Sequence, residues 1–476
     1  MTSSSRSHAY VSAVAMALPL MLAPFAEAKT FDCGAGDLQC LIAAINEANA
    51  DPHITTIRLA GGTYALTSVN NDTDGPNGLP SIVSRLTIDG GSSGAILTRL
   101  AGVPGSRILH VGASGHLRLQ GVTITNTVDP GFTGNRGSGL FNDGGVVTVV
   151  DSSFVDNRIG DAGALHNNQG VVRIIDSAFT GNFGSGGAGV TSAGGVVDIR
   201  RTVFENNNGL FAGGLWSMDA DVRIVDSRFT GGSGHFGVGG VRVSGGTASI
   251  IRTTFAGNVG DPSGGILVEA QGTVIVRDSA FVENRGLGGG GGFFNQGGTV
   301  NVTNTTFARN VAGSISVRGS AILNFGKTTI VNSTFAQNTS IGTGASSVIA
   351  NVNAFADNPA EMLLQNTILA HSSDDEFVQD CAGIITSLGN NLIGDPSSCI
   401  ITLQPSDLIG DAGLGQLLDD GTAGTAHYPL LLDSQAIDAA NDAACLRKDQ
   451  IGRPRRPECD IGAIEFRRAD KTLATE

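Results

Sequence analysis

One phrase returns down the middle of the chain. It reads Asp-Ser-Ser-Phe-Val-Asp-Asn at Asp151–Asn157 and Asp-Ser-Ala-Phe-Thr-Gly-Asn at Asp176–Asn182, and it continues in variant forms. Its phenylalanines are Phe154, Phe179, Phe204, Phe229, Phe255, Phe281, Phe307 and Phe335, spaced 25, 25, 25, 26, 26, 26 and 28 residues apart. A period of that size is the mark of a solenoid, in which each repeat buries its apolar face only against its neighbours.

Aligned on phenylalanine, the repeats show constrained columns. Five residues earlier stand Val149, Ile174, Ile199, Ile224, Ile250, Val276, Val302 and Ile330, and seven earlier a second small or β-branched column runs from Val147 to Thr328. The residues between these columns are mostly polar, such as Thr148, Arg173, Asp198 and Arg223. An apolar period of two predicts a strand with one buried face. Ser or Thr stands two before every phenylalanine, and Asn three after all but one, where Gly232 intervenes. Asn tolerates left-handed backbone, so a stacked amide ladder at a bend is expected there. Small pairs then precede a large apolar residue, as in Gly213-Gly214-Leu215 and Gly239-Gly240-Val241. Three short strands joined by bends make one coil of an all-β, single-stranded, right-handed parallel β-helix of the pectin-lyase-like kind. Strands of successive coils would pair about 4.8 Å apart. A helical solenoid is disfavoured by the period and by the 69 glycines.

Residues 1–28 read as a secretory signal: Arg6, an apolar stretch from Val11 to Leu22, then Ala26-Glu27-Ala28. No later segment is long and apolar enough to span a bilayer, so no membrane span is expected in the mature chain. A net charge of −14 argues against nucleic acid as a partner. The six cysteines fall in local pairs outside the regular ladder: Cys33 and Cys40, Cys381 and Cys399, Cys445 and Cys459. An even number in an exported chain predicts disulfides, and proximity favours those pairs. Asp37–Asn49 is expected to be an amphipathic helix that caps the first coil, with Leu38, Leu41, Ile42 and Ile45 on one face. The β-helix with this cap is placed at 29–373, a C-terminal cap at 374–466, and a tail at 467–476.

The Phe-x-x-Asn and Gly-Gly-apolar repeats resemble those of chlamydial polymorphic outer-membrane proteins. The stretch with Gly410-Asp411-Ala412-Gly413-Leu414-Gly415, Leu432–Ala439, Asp449–Arg455 and Asp460–Phe466 resembles the choice-of-anchor Q module of exported bacterial β-helix proteins. Gly61-Gly62-Thr63-Tyr64 and Leu79–Ile82 suit the same group. The resemblance implies an exported or surface-associated solenoid, with adhesion as the usual assignment. With Arg467–Glu476 following the module, neither a translocating barrel nor a C-terminal anchor is expected, and release is expected as readily as surface attachment.

For catalysis on this fold, a lyase needs a basic residue beside acids, yet Lys327 is the only lysine of the ladder. The His-Gly and Arg-x-Lys pairs of galacturonases do not occur. The best charged cluster is Arg173, Asp198 and Arg223 on three consecutive coils, with Asp221 nearby; a cross-strand ion ladder is the plainer reading. Asp374, Asp375 and Glu376 could hold Ca²⁺ or form a solvated loop, and no other cofactor is expected. The column just after the glycine bends, Phe141, His166, Thr191, Trp216, Arg242, Leu267, Phe294 and Ile322, is expected to face outward. Its Phe141, His166, Trp216, Arg242 and Phe294 could stack on a glycan or pack under a loop; Phe183, Phe211, His235 and Phe236 lie near the same edge. The sequence favours a non-catalytic β-helix that binds extracellular polysaccharide or a cell surface through its lateral face. A polysaccharide lyase or glycoside hydrolase, or a purely structural envelope component, are the alternatives.

Overall fold

A computed structural model describes residues 28–51, 53, 55–92, 94–125, 137–158, 163–313, 319–341, 346–354, 359–370 and 378–467. The signal-like stretch, the Asp374-Asp375-Glu376 loop and nearly all of the tail lie outside them. The chain coils into a parallel β-helix whose strands stack into sheets of 15, 14, 11 and 7 strands. The alternating columns occupy the 15-stranded sheet, where Val146–Val150 pairs in register with Val171–Ile175 and that strand with Val196–Arg200. The phenylalanines lie on the 14-stranded sheet, and the segment after the glycines forms the 11-stranded one. A fourth strand per coil, two residues long as in Phe183–Gly184 and Asn208–Gly209, was not expected from three apolar segments.

The three apolar columns converge on one interior. No residue of the Val147 column is more than 4 % exposed, and the Val149 column and the Leu140–Ile322 column are fully buried. The eight phenylalanine rings stack face to face, with neighbouring centroids 4.5 to 5.1 Å apart and planes within 11°. In-register parallel strands impose that repeat on any side chain they share, so identical rings stack without adjustment.

The bends differ from expectation in one detail. The column asparagines are not the left-handed residues. Positive φ falls on the residue before them (Asp156, Asn206, Glu283, Arg309) and on the residue three before phenylalanine (Asp151, Asp176, Arg201, Asp226). The asparagines point inward. Asn182 donates through Nδ2 to Asn207 Oδ1 at 2.8 Å and to the Phe154 carbonyl at 3.0 Å, and so bridges coil to coil. The Ser/Thr column is a second ladder: Ser177 Oγ accepts from the Ser152 amide at 3.2 Å and donates to the Ile175 carbonyl at 2.8 Å. Buried bends leave main-chain groups without strand partners, and these side chains supply them.

The capping helix runs from Leu38 to Ala50, with Asp37 accepting from the Cys40 amide at 3.0 Å and Leu41, Ala44, Ile45 and Ala48 buried against the first coil. The three local disulfides form as expected, and Cys33–Cys40 ties this helix to the first strand. The C-terminal segment behaves differently from an end cap. Residues 411–466 lie lengthwise on the outer face of the 14-stranded sheet. The Gly424 amide bonds Thr254 Oγ1, Thr306 Oγ1 bonds Gln450 Oε1, and the Ala463 amide bonds Thr334 Oγ1. The small outward residues Ala256, Ala280, Ala308 and Ala336 make room for it. A flat face of alanines and threonines cannot be left open over so many coils without exposing a continuous apolar patch.

Candidate functional site

The charged cluster forms as the register demands, but its electrostatics are those of a neutralised ladder. Arg173, Asp198 and Arg223 are consecutive Cα partners. Asp198 is gripped by Arg200, two residues on, with Nε and Nη2 at 2.9 and 2.6 Å, and Arg223 Nη1 lies 3.5 Å away. Burial pushes the Asp198 carboxyl up, but the hydrogen bonds and charge of Arg200, with Arg223, hold it below its usual range. Asp221 accepts from Thr247 Oγ1 at 2.8 Å. A carboxylate held down by two guanidiniums is a poor general base. The left-handed bend carries further ion pairs: Arg201 with Asp176, and Arg252 with Asp226.

The aromatic column is in register, but most of it is turned away from solvent, and Trp216 and Arg242 keep only part of their surface open. Phe141 and His166 are each 4 % exposed and Phe294 5 %, while Trp216 is half-buried. The last coil contributes Leu323, not Ile322, which points into the main core. The reason lies in the short fourth strands. After each asparagine the chain runs out and doubles back so tightly that a Cβ on Gly209 would lie 1.9 Å from the Ala212 carbonyl oxygen. The returning residues Ala212 and Val238 then cover the column, and together with Leu267, Phe294, Leu323 and Ala350 they form a second small core. Arg242 lies over the rings of Phe211 and Trp216, at 5.2 and 5.3 Å, and pairs with Glu269 at 2.6 Å. Trp216 Nε1 donates to Ser244 Oγ at 3.0 Å. Phe183 and Phe236 remain on the outside, 45 % and 63 % exposed.

An open groove of about 580 Å³ lies elsewhere, at the corner between the two longest sheets in the early coils. Asp89, Ser92, Gln120, Thr123, Asp151 and Ser153 give it hydrogen-bonding side chains, and Gly91, Gly94 and Gly121 open its floor. Among the described residues no Lys, Arg or His belongs to its lining, and Arg118, just outside it, donates through Nη2 to Gln120 Oε1 at 3.0 Å. Asp89 and Gln120 are in-register partners on adjacent coils, and Val150, just before Asp151, partners Gln120 on the next. The looser early repeats give no sequence signal for this groove, because its polar residues come from three coils with unlike turns.

A second unanticipated cluster brings together Asp74, His110 and Asp143, whose ligating atoms all lie within 4.8 Å of one another. Burial above all, then the charge of Arg107, lowers the proton affinity of His110 against the opposing pull of the two carboxylates. These residues are 36 and 33 positions apart and share no motif.

Residues 162–335 match the family described as a right-handed beta helix region. The chain is a right-handed parallel β-helix. No curated protein matches it. Among solved structures it is similar to "a new PL6 alginate lyase complex with trisaccharide", at 12 % identity and a TM-score of 0.42, covering 90 % of this chain and 95 % of that one. It is also similar to a 1,3-α-1,4-β-D-galactose-4-sulfate-3,6-anhydro-D-galactose-2-sulfate 4 galactohydrolase, at 13 % identity and a TM-score of 0.32, covering 76 % and 96 %. Likeness of that degree concerns the coil alone, so no catalytic group of either protein is carried to this β-helix.

Proposed function

We propose that this protein is an exported, non-catalytic β-helix that binds an extended, neutral glycan along its lateral surface, at the corner groove. The observation that carries the reading is the groove's lining. Hydroxyl, amide and carboxylate groups from three consecutive coils line one open channel, with no Lys, Arg or His among its described lining residues. Coils about 4.8 Å apart match the rise of roughly one sugar in an extended chain, so hydrogen bonds can repeat along it. Two carboxylates and no Lys, Arg or His are among the groove's described lining residues, and the neighbouring Arg118 is already engaged by Gln120 Oε1 at 3.0 Å, so the lining favours uncharged sugars over a polyuronate. Export is supported by the signal-like first 28 residues and the three disulfides, and the resemblance of 410–466 to a choice-of-anchor module points the same way. No helix among the described residues is long and apolar enough to cross a membrane.

A second reading, a glycoside hydrolase, rests on Asp89 and Asp151 sharing the groove. Their backbones stand two coils apart, on the order of 10 Å, at the outer limit of the carboxyl separation used by inverting enzymes. The test is affinity electrophoresis of the purified protein in gels of neutral and uronate polysaccharides, with reducing ends assayed in parallel. Retention by a neutral polymer, weakened at least tenfold by Gln120→Ala with Thr123→Val, is expected. Equal retention of the double variant removes the groove from the account, and retention by uronates alone removes the neutral ligand. Reducing ends released by the wild type but not by Asp151→Asn would move the assignment to a hydrolase.

A further inference from the structure

The early coils contain an insertion that the regular repeat lacks. Residues 70–82 leave the ladder and fold back against it, bridging Asn77 to Arg107 and Ile82 to Val111. Asp74 sits on the exposed turn of this segment, Asp143 ends the strand Leu140–Asp143, and His110 lies in the strand Leu109–Val111, in register with Phe141 and stacked on its ring at 5.5 Å.

The hydrogen-bond network decides which nitrogen of His110 carries its proton. Asn71 Oδ1 is an acceptor beyond ambiguity, since it receives the Thr73 amide at 3.3 Å and Asn77 Nδ2 at 2.8 Å while Asn71 Nδ2 donates to the Leu79 carbonyl at 3.0 Å. Ser81 Oγ, 3.0 Å from that oxygen, therefore gives its proton to Asn71. His110 Nδ1, 2.9 Å from Ser81 Oγ, must then be the donor of that bond. This leaves Nε2 as a bare lone pair on a side chain 1 % exposed, with no hydrogen-bond partner. It points toward two carboxylates: Asp74 Oδ2 at 3.5 Å and Asp143 within 4.8 Å.

Three electron-rich groups facing one point, one of them a buried imidazole nitrogen without a partner, repel one another unless a cation stands between them. A separation of 3.5 Å is long for a hydrogen bond, yet it equals the edge, about 3.4 Å, of a tetrahedron whose ligands lie roughly 2.0–2.1 Å from its centre. We propose that Asp74, His110 and Asp143 bind one divalent transition-metal ion of the Zn²⁺ class, through His110 Nε2 and one oxygen of each aspartate. Imidazole nitrogen with two carboxylates suits Zn²⁺ and not Ca²⁺, which takes six or more oxygens. Asp143 is already oriented by Asn168 on the next coil, whose Nδ2 donates to Oδ1 at 2.6 Å, the kind of outer partner that metal ligands carry. Arg107 donates to the Asp74 carbonyl and lies 4.7 Å over the Phe141 ring, so it ties the turn to the strand that carries Asp143. The ion would pin the insertion to two coils of the ladder.

The untagged full-length chain, stripped with a chelator and checked for an unchanged circular dichroism spectrum, is titrated with Zn²⁺ by calorimetry, and Co²⁺ serves as a spectroscopic substitute. One Zn²⁺ per chain is expected. Binding should weaken at least 100-fold in Asp74→Asn and in Asp143→Asn, and about tenfold in Asn168→Ala, with Co²⁺ giving tetrahedral ligand-field bands. Asp74 is on an exposed turn, so metal-free melting of Asp74→Asn should equal that of the stripped wild type, which separates lost ligation from lost folding. Absence of Zn²⁺ binding by the folded, stripped protein overturns the assignment. So do undiminished binding by the two aspartate variants and Ca²⁺ displacing Zn²⁺ at equal concentration.

Discussion

Replacing Asn284 by Ala tests the claim that the inward amides, and not the backbone alone, hold coil to coil. Asn284 Nδ2 donates to the Phe255 carbonyl at 2.8 Å and to Asn310 Oδ1 at 3.0 Å, while its Oδ1 accepts from the Asn258 amide at 3.1 Å and from Asn258 Nδ2 at 2.9 Å. Alanine removes all four bonds. Asn258 Nδ2 keeps the Phe229 carbonyl, and Asn310 Oδ1 keeps the main-chain amide of residue 284. The Asn258 amide and the Phe255 carbonyl lose these partners at a buried bend, and a stranded buried group costs about 1–3 kcal/mol, so the expected loss is about 4 kcal/mol. The chain contains its own control. Gly232 interrupts the ladder, so the Asn207 side chain bonds the Phe179 carbonyl and the two donors of Asn182 and lacks an asparagine on the next coil to donate to. Asn207→Ala should therefore be milder by about 1 kcal/mol, one net hydrogen bond. Long repeat arrays need not unfold in one step, so the quantity to measure is local opening, by native-state hydrogen exchange over residues 255–284 and 179–207. Losses below 1 kcal/mol in both variants, or a larger loss in Asn207→Ala, would refute the reasoning.

Because Trp216 is half-buried and engaged by Arg242 and Ser244, Trp216→Ala should lower stability by about 2 kcal/mol through loss of the Arg242 stack and the Ser244 bond, and leave glycan retention unchanged. A stable variant that no longer binds glycan would reinstate the column as a binding surface. Arg252→Gln, at an exposed ion pair, should cost less than about 1 kcal/mol and be further masked by salt; a larger, salt-independent loss in chemical denaturation would contradict this. In the C-terminal module, burial raises the Asp460 carboxyl to about 6, against the lowering effect of the Asp438 and Phe466 amides. Since the folded state holds this proton more tightly than the unfolded chain does, the stability it contributes is complete below about pH 4 and is lost as pH rises through about 6. Melting temperatures between those values should fall less steeply in Asp460→Asn, and parallel slopes in the two proteins would dismiss the effect.

The phenylalanine, valine and isoleucine columns were legible because a strict period leaves little choice: identical residues at identical spacing superpose, and an apolar column superposed on itself is a core. The three disulfides followed from proximity for a related reason, since short loops close easily. The motif residues of the C-terminal module were visible as a pattern but not as a role. Gln450 proves to clamp the Gly424 and Ala426 carbonyls, and Arg455 joins the Asp460 and Gly462 carbonyls to the neighbouring Glu465. Their pattern reflects the packing of the module on the sheet.

What the chain announces in one dimension is its repeat, and with it the coil, the dry interior and the helix that closes one end. Which outward residues meet water was decided in three dimensions. A strand's alternation separates inside from outside, but it cannot say that a loop of the same coil folds back over Trp216 and Phe294, or that residues 411–466 from the far end lie along a face of alanines. Nor can spacing reveal that Asp74, His110 and Asp143 share a point, because their meeting depends on an insertion that breaks the period and on a register counted in coils.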